Sequence, residues 1–400
     1  MWPSLAQADW LLSLARAAWA KSRRREAPPA RVFDFASFLH GAKQGRALLS
    51  FESATLLEDA RRGRAAFFNP AGASLEMARA LNQCGYVVDA VSFRDAGFTP
   101  ERDYDLFVGH DGVSFRRISE TLGRQTKRVT YATQCYSEVF KAETERSYAR
   151  FCRSRGLERS TLKTSRSMDV SSYAVASADL VVCLGKETRQ TFVPVAKSVV
   201  AINNAAYLEV NPAQEKSAKR AATANFVYYG GAGNIQKGVD LLIEAFAGMP
   251  EAHLYLFSPL EPEVVRAYRR ELRASNIHFV HPWRFFPSLV RRLVATCTFN
   301  ILCGFGSGQS TALIASLGLG LVPVMNTAAD IDAPGVAITE STVPGVRAAV
   351  RRALALSQTE VDDLRVGGLQ SYNRLFRPEV FCASFRKLIR QVVQPIRSEL

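Results

Sequence analysis

Gly230, Gly231, Gly233 and Lys237 are of the kinds, and in the order, that hold a diphosphate. They lie in the segment 225–246, NFVYYGGAGNIQKGVDLLIEAF. The glycines strip side chains from a turn, so that backbone can approach a ligand closely and take positive φ at little steric cost. An apolar run, 226–229, precedes the turn as a strand. Val239, Leu242, Ile243 and Phe246 follow at helical spacing, so Lys237 stands just before an amphipathic helix. An ammonium group and the open N–H groups of a turn and helix start would then face one anion.

A second segment, about seventy residues on, repeats this logic. In residues 299–326, FNILCGFGSGQSTALIASLGLGLVPVMN, a buried strand (299–303) leads to a tight loop (304–308). A helix (310–317) and a further parallel strand (321–325) complete the unit. Ser307, Ser310 and Thr311 offer hydroxyls, and the first turn of the helix offers unpaired N–H groups for phosphate oxygens. Two anion-ready helix starts in one half of the chain point to a single extended ligand. Neither loop is a Walker loop, which needs Gly at Cys303 and Lys at Gln309. Neither is the dinucleotide fingerprint, whose third Gly would stand at Gln236. NTPase and dehydrogenase chemistry are thereby disfavoured.

These two segments, in this order, resemble the carboxy-terminal half of GT-B glycosyltransferases of family 4, the group 1 type. Lys237, Gly238, Asp240, Leu241, Leu242, Ala245 and Phe246 match one stretch of that family, and Gly308, Gly320, Leu321, Pro323 and Val324 match the next. The match covers roughly residues 224–330. The resemblance implies an α/β protein of two Rossmann-like lobes with a cleft between them, and a C-terminal helix returning to the N-terminal lobe. It further implies a nucleotide-sugar substrate and Lys237 on its diphosphate. Gly231, Gly233, Asn234, Ser307, Gly308, Gln309, Ser310 and Thr311 become donor-binding candidates, and Trp283, followed by Arg284, falls where the family places its nucleobase.

The chain also departs from that family. Its two usual glutamates would stand at Ser307 and Ala315, and the arginine that partners the lysine would stand at Ala232. The second glutamate binds ribose hydroxyls in the family, a charge-assisted contact of about 1.5–3 kcal/mol. Either Gln309, Ser310 and Thr311 take over that work in a divergent branch, or donor binding has been lost. The retained lysine and glycine loops favour the divergent branch.

The elements that must position these residues fit two domains. Four hundred residues exceed what one core usually serves, and 48% apolar with 22% charged residues is a globular balance. The expected division is an N-terminal helix (1–29), an acceptor lobe (30–208), a linker (209–224), a donor lobe (225–370) and C-terminal helices (371–400). In the first lobe, strands at 65–69, 86–93, 105–110, 128–133 and 179–184 alternate with a helix at 73–82, the pattern of an open parallel sheet. Asn69, Pro70, Ala71 and Gly72 then form the loop after the first strand, on the ligand side of such a sheet. His110 ends the run DLFVGHDG at a strand end, where an imidazole could orient a sugar hydroxyl or accept a proton. Tyr131 and Tyr136 follow another strand end and could line the acceptor side, or simply pack. Later strands are expected at 254–258 and 278–281, and helices from about 360 to 393.

The net charge of +14 asks for a partner. No nucleic-acid signature accompanies the arginines, so nucleic acid is not expected. Trp2, Trp10 and Trp19 beside Lys21, Arg23, Arg24 and Arg25 suit a helix at an anionic lipid surface. The apolar residues there spread around the helix, which equally suits a packed helix, and both readings stay open. Arg146, Arg150, Arg153, Arg155 and Arg159 recur along one expected helix, as a membrane-facing or merely solvated face. No apolar run approaches the roughly 18 residues that cross a bilayer. Asp9 and Arg16 interrupt the initial apolar stretch, against a secretory signal, and seven scattered cysteines suit a reducing compartment. A cytoplasmic protein is expected, with peripheral contact at the inner face of the cytoplasmic membrane left open.

Asp330-Ile331-Asp332 spells the DxD that holds a divalent ion in the other glycosyltransferase fold, but it follows a strand where GT-B has a plain loop. The expected enzyme is therefore metal-independent and needs no cofactor. It moves a sugar from a nucleotide donor to a glycan or lipid-linked acceptor, as in bacterial surface polysaccharide biosynthesis, with Lys237 and His110 as the central residues. Retention of anomeric configuration is implied by the resemblance alone. The alternative is a catalytically silent GT-B module within a glycan-assembly complex, suggested by the missing glutamates.

Overall fold

The computed structural model describes residues 30–54, 56, 70–162, 171–207, 222–280, 295–305 and 308–393. Its first lobe is built on strands β1 (Arg31–Phe35), β2 (Gly45–Phe51), β3 (Tyr86–Ser92), β4 (Leu106–Gly109), β5 (Lys127–Ala132), β6 (Leu180–Leu184) and β7 (Val199–Ile202). They lie in the order β1-β3-β2-β4-β5-β6-β7, all parallel except β1, which pairs antiparallel with β3 at the edge. Strands β4 and β6 are buried along their whole length, as a parallel sheet covered on both faces requires. Helices α1 (Pro70–Gln83), α2 (Phe115–Thr121), α3 (Ser137–Arg155), α4 (Ser172–Ser177) and α5 (Lys186–Phe192) make the crossovers.

The second lobe carries β8 (Ala222–Tyr229), β9 (His253–Phe257), β10 (Ile277–Val280), β11 (Cys297–Leu302), β12 (Val322–Met325) and β13 (Val336–Ala337) in the order β10-β9-β8-β11-β12-β13. Every pairing in it is parallel. Helices α6 (Val239–Ala247), α7 (Pro262–Ala267), α8 (Thr311–Gly318), α9 (Val343–Leu354), α10 (Gln358–Ser371) and α11 (Pro378–Val393) complete it. Helix α11 leaves its own lobe. Its Phe381, Phe385, Leu388 and Ile389 are buried with Ala47, Met77 and Leu81 in the core of the first lobe. Apolar positions recurring every three or four residues explain why this stretch needs a second surface to cover it.

The pattern read from the sequence holds for most strands, with three corrections. Strand β2, from an apolar run at 47–51, is one that the reading passed over; the expected strand at 65–69 lies outside the described residues. Pro70 and Gly72 belong to the first turn of α1 rather than to a loop. Strand β8 starts at Ala222, inside the expected linker, whose residues 209–221 are likewise outside the described residues, as is the tryptophan-rich segment 1–29.

The arginine-rich helix has a buried side that the reading did not give it. Phe140, Thr144, Ser147, Tyr148, Phe151 and Cys152 form its buried face. Tyr148, Phe151 and Cys152 sit in the core of the second lobe, with Leu242, Phe246 and Tyr268. Helix α3 thus starts from the first lobe and docks on the second. Two of its arginines reach the second lobe, Arg150 pairing with buried Asp240 at 2.9 Å and Arg155 with Glu271 at 2.7 Å and Glu244 at 3.3 Å. Arg159, just beyond the helix, pairs with Glu145 at 2.6 Å, while Arg146, paired with Glu143, and Arg153 lie on the exposed face. The Arg155 guanidinium also lies 3.7 Å from the centre of the Tyr268 ring. Each lobe therefore receives a helix from the other. No described helix is long and apolar enough to cross a membrane.

Candidate active site

The two glycine loops meet at a point set by topology. Strand β8 has β9 on one side and β11 on the other, so the chain departs in opposite directions from their carboxyl ends and leaves a crevice there. The loop after β8 holds Gly230–Gly233 and Lys237, and the loop after β11 holds Gly304 and Gly308. The loops touch: a Cβ on Gly304 would fall 2.4 Å from the Lys237 Cα, and Phe305 N–H donates to the Gln236 carbonyl at 3.3 Å. Only glycine permits that approach. On the other face of the turn, the Lys237 Nζ lies 3.9 Å from the point a Gly231 Cβ would occupy. Gly231 and Ala232 are exposed, whereas Gly233 to Gln236 are buried.

The buried half of the turn already holds an anion of the protein's own. Glu261, beside the start of α7, accepts from Gly233 N–H at 2.7 Å and Asn234 N–H at 3.1 Å. In return Glu261 N–H donates to Asn234 Oδ1 at 2.7 Å, and Asn234 Nδ2 donates to Ser258 Oγ at 2.9 Å. Gly233, at φ +87°, and Asn234 thus brace the loop, with Gly231 and Ala232 on its exposed edge. Nothing in the spacing of the sequence distinguished Glu261 from other helix-start carboxylates.

The second loop is pressed against the first lobe. Gly308, at φ +62°, has no room for a Cβ, which would fall 2.6 Å from the Thr133 carbonyl at the end of β5. Ser310 caps α8, accepting from Leu313 N–H at 3.4 Å. Gln309 is buried and bonds to Asn203, Asn204 and Asp330, while Thr311 Oγ1 accepts from Asn204 Nδ2 at 2.9 Å. Ala315 is fully buried among Leu313, Ile314, Ile331 and Phe376, so no polar group stands where the resemblance puts a ribose-binding glutamate. Ser307, Trp283 and Asn69 lie outside the described residues.

Across the cleft, His110 sits at the corresponding switch point of the first sheet, after β4 and beside β2. It is 3% exposed and packed between the rings of Phe51 and Phe93, at 5.1 and 4.9 Å. The Asp111 carbonyl, 2.9 Å from Nδ1, can only accept, so Nδ1 carries the proton and Nε2 accepts from Thr133 Oγ1 at 2.9 Å. Burial pushes its pKa down to about 4. The imidazole is therefore neutral near pH 7 with both nitrogens engaged. Its Thr133 partner presents its carbonyl to Gly308.

The other described acceptor-side candidates make contacts within the first lobe. Gly72 is covered by Tyr207, which donates from its hydroxyl to the Gly72 carbonyl at 2.6 Å. The Tyr136 ring packs edge-on against Phe192 at 6.0 Å, and its N–H donates to Thr191 Oγ1 at 3.0 Å. Tyr131 is buried against Phe51 and Phe381. The DxD is also accounted for: Asp330 Oδ2 accepts from Glu187 N–H at 2.8 Å, at the start of α5, while Asp332 is exposed. Among the described residues no three His, Cys, Asp or Glu side chains gather as metal ligands.

Neither a protein-family model nor a curated protein matches the chain. Solved structures do. Sucrose-phosphate synthase from Thermosynechococcus elongatus superposes with a TM-score of 0.61 at 14% identity, covering 86% of this chain and 98% of that one. Trehalose-6-phosphate synthase, studied for glycosyl transfer with retention, gives 0.52 at 11% identity over 95% and 96% of the two chains. Anabaena HepE, solved with UDP and glucose, gives 0.51 at 12% identity over 86% and 99%. All three are similar in fold. The chain has the GT-B fold: two Rossmann-like lobes facing a cleft, with the last helix returned to the first lobe.

Proposed function

We propose that this chain is a glycosyltransferase that takes a sugar from a nucleoside diphosphate donor held by the second lobe. One observation carries the reading. Lys237 stands over the glycine turn at the switch point between β8 and β11, in contact with the loop that leads to α8. In transfer, the bond between the anomeric carbon and the donor phosphate oxygen breaks, and negative charge collects on the departing diphosphate. A fixed ammonium and the N–H groups of the exposed turn and of the α8 start stabilise that charge without a metal ion. Lys237 is assigned to the diphosphate, with Gly231, Ser307, Gly308, Ser310 and Thr311 around donor phosphate or sugar and Trp283 near the base. Gly233, Asn234 and Gln309 serve by holding the loops. His110 serves the acceptor side by fixing Thr133.

The finer assignments rest on resemblance and analogy. HepE was solved with UDP and glucose, and TarM of S. aureus with UDP, which puts uridine diphosphate first among donors to test here. Retention, described for trehalose-6-phosphate synthase, and kinship to family 4 belong to the same proposal. A glycan or lipid-linked acceptor, a part in surface polysaccharide biosynthesis and peripheral contact with an anionic membrane complete it.

The test is calorimetric titration with UDP, GDP, ADP and TDP in EDTA, beside Lys237→Ala. Micromolar binding of one diphosphate, lost in the variant, is the expected result. A second reading draws on Ala315, whose burial leaves no polar anchor for a ribose. On that reading the chain is a silent GT-B binding module, and folded protein binds none of the four.

A further inference from the structure

The two lobes are fastened beside the cleft by contacts that belong to neither sheet. Gln309 Oε1 accepts from Asn204 N–H at 2.7 Å, and its Nε2 donates to Asn203 Oδ1 at 2.9 Å and to the Asp330 carbonyl at 2.8 Å. Asn204 Nδ2 returns to the Gln309 carbonyl at 2.9 Å and to Thr311 Oγ1 at 2.9 Å. Asp330, at φ +53°, reaches from the second lobe to accept from Glu187 N–H at 2.8 Å in the first turn of α5. Two glycines make the fit. A Cβ on Gly185, at φ +96°, would fall 2.0 Å from Asp330 Oδ2 and 3.1 Å from Gln309 Cγ, and one on Gly308 would strike the Thr133 carbonyl at 2.6 Å. Each lobe presents bare backbone to the other at the loop that opens α8.

We propose that Gln309 and Asp330 are positioning residues that clasp the donor-lobe phosphate loop to the acceptor lobe. This rests on the donor-binding reading above and gives Gln309 a role distinct from a donor ligand. Its amide is already fully engaged: one oxygen accepts and both N–H groups donate, all to protein. The start of α8 therefore keeps its aim at the diphosphate only while the first lobe's Asn203–Asn204 segment and α5 are in place. Asp330 meets that loop through its carbonyl, which accepts from Gln309 Nε2, whereas its carboxylate turns to α5, yet loss of the carboxylate should be felt at the loop.

Hydrogen exchange on the full chain tests the clasp without any ligand. Gln309→Glu sets a second carboxylate oxygen against two acceptors, and Asp330→Ala removes the cap from α5. Both should raise exchange at 185–189 and 203–205 by about tenfold, the scale of one net hydrogen bond, while 106–109 and 241–246 stay as in the parent. Titration with UDP, GDP, ADP and TDP should show both variants weakening the diphosphate that the parent binds by about tenfold. Asp330→Asn keeps an accepting oxygen and tolerates the left-handed backbone, so it should lie nearer the parent. Unchanged exchange at the clasp overturns the proposal, as does a rise throughout both cores. So does a Gln309→Glu variant that loses the nucleotide while Asp330→Ala keeps it, since Gln309 is then a ligand. If the parent binds none of the four, the functional reading fails and exchange alone decides the clasp.

Discussion

Arg150 of α3 and Asp240 of α6 form an ion pair at 2.9 Å between a helix that starts from one lobe and the helix that follows the glycine turn of the other. Asp240 is 2% exposed, and its burial pushes the carboxyl pKa up against the pull of Arg150 and two backbone amides. Arg150→Met should therefore leave a buried charge without its counter-ion and cost about 3–5 kcal/mol. Adding Asp240→Leu should recover most of that loss. Denaturant unfolding of the three variants gives the comparison, and full stability in Arg150→Met alone would remove the pair from any account of how α3 docks.

Lys237→Ala should leave the fold intact and weaken nucleoside diphosphate binding. A charge-assisted contact of about 1.5–3 kcal/mol corresponds to roughly 10- to 150-fold in Kd. Calorimetry on parent and variant reads this directly, and equal affinities would take the diphosphate away from Lys237.

Gly304→Ala separates backbone fit from charge. The new Cβ would lie 2.4 Å from the Lys237 Cα, where neither side can yield without moving a loop. The expected cost is about 1–3 kcal/mol, together with loss of nucleotide binding although Lys237 is still present. Gly123 has nothing within 4 Å of its Cβ position, so Gly123→Ala should be near neutral and serves as the control.

The buried His110 makes stability depend on pH. Its folded pKa of about 4 lies below the ordinary histidine value of 6.5, so the unfolded chain binds a proton that the folded chain refuses. Stability from this group is complete above pH 6.5 and falls as the pH drops towards 4, by about 3 kcal/mol in all. His110→Gln does not titrate there. Its unfolding free energy should fall less steeply between pH 6.5 and 4 than that of the parent, and parallel profiles would show that His110 is not held neutral.

Much of the site was legible because glycine turns and helix starts are local features. The run 226–229, the turn after it and the spacing of Val239, Leu242, Ile243 and Phe246 are settled within two dozen residues, and β8 and α6 appear where that pattern puts them. The apolar run of β2 was missed because it is short and lies between polar stretches. Arg146 and Arg153 of α3 do lie on an exposed face, but the turn of Arg150 and Arg155 to the second lobe was not legible, because arginine spacing is visible in sequence and its partners are not. Phe140, Thr144, Tyr148 and Phe151 carried the contrary signal at helical spacing, without saying which core they would enter.

By itself, then, the sequence determined the two strand–loop–helix units, their order, and a lysine poised at a glycine turn, since backbone freedom and periodic burial act over one or two turns of chain. Only the tertiary structure decided that Glu261 fills half of that turn, that Asp330 caps a helix in the other lobe, and that Gln309 joins the two lobes rather than standing open. A carboxylate or an amide looks the same in sequence whether it meets a ligand, a metal ion or the chain's own N–H groups. Which of these it meets depends on what folding brings within about 3 Å of it, the reach of a hydrogen bond.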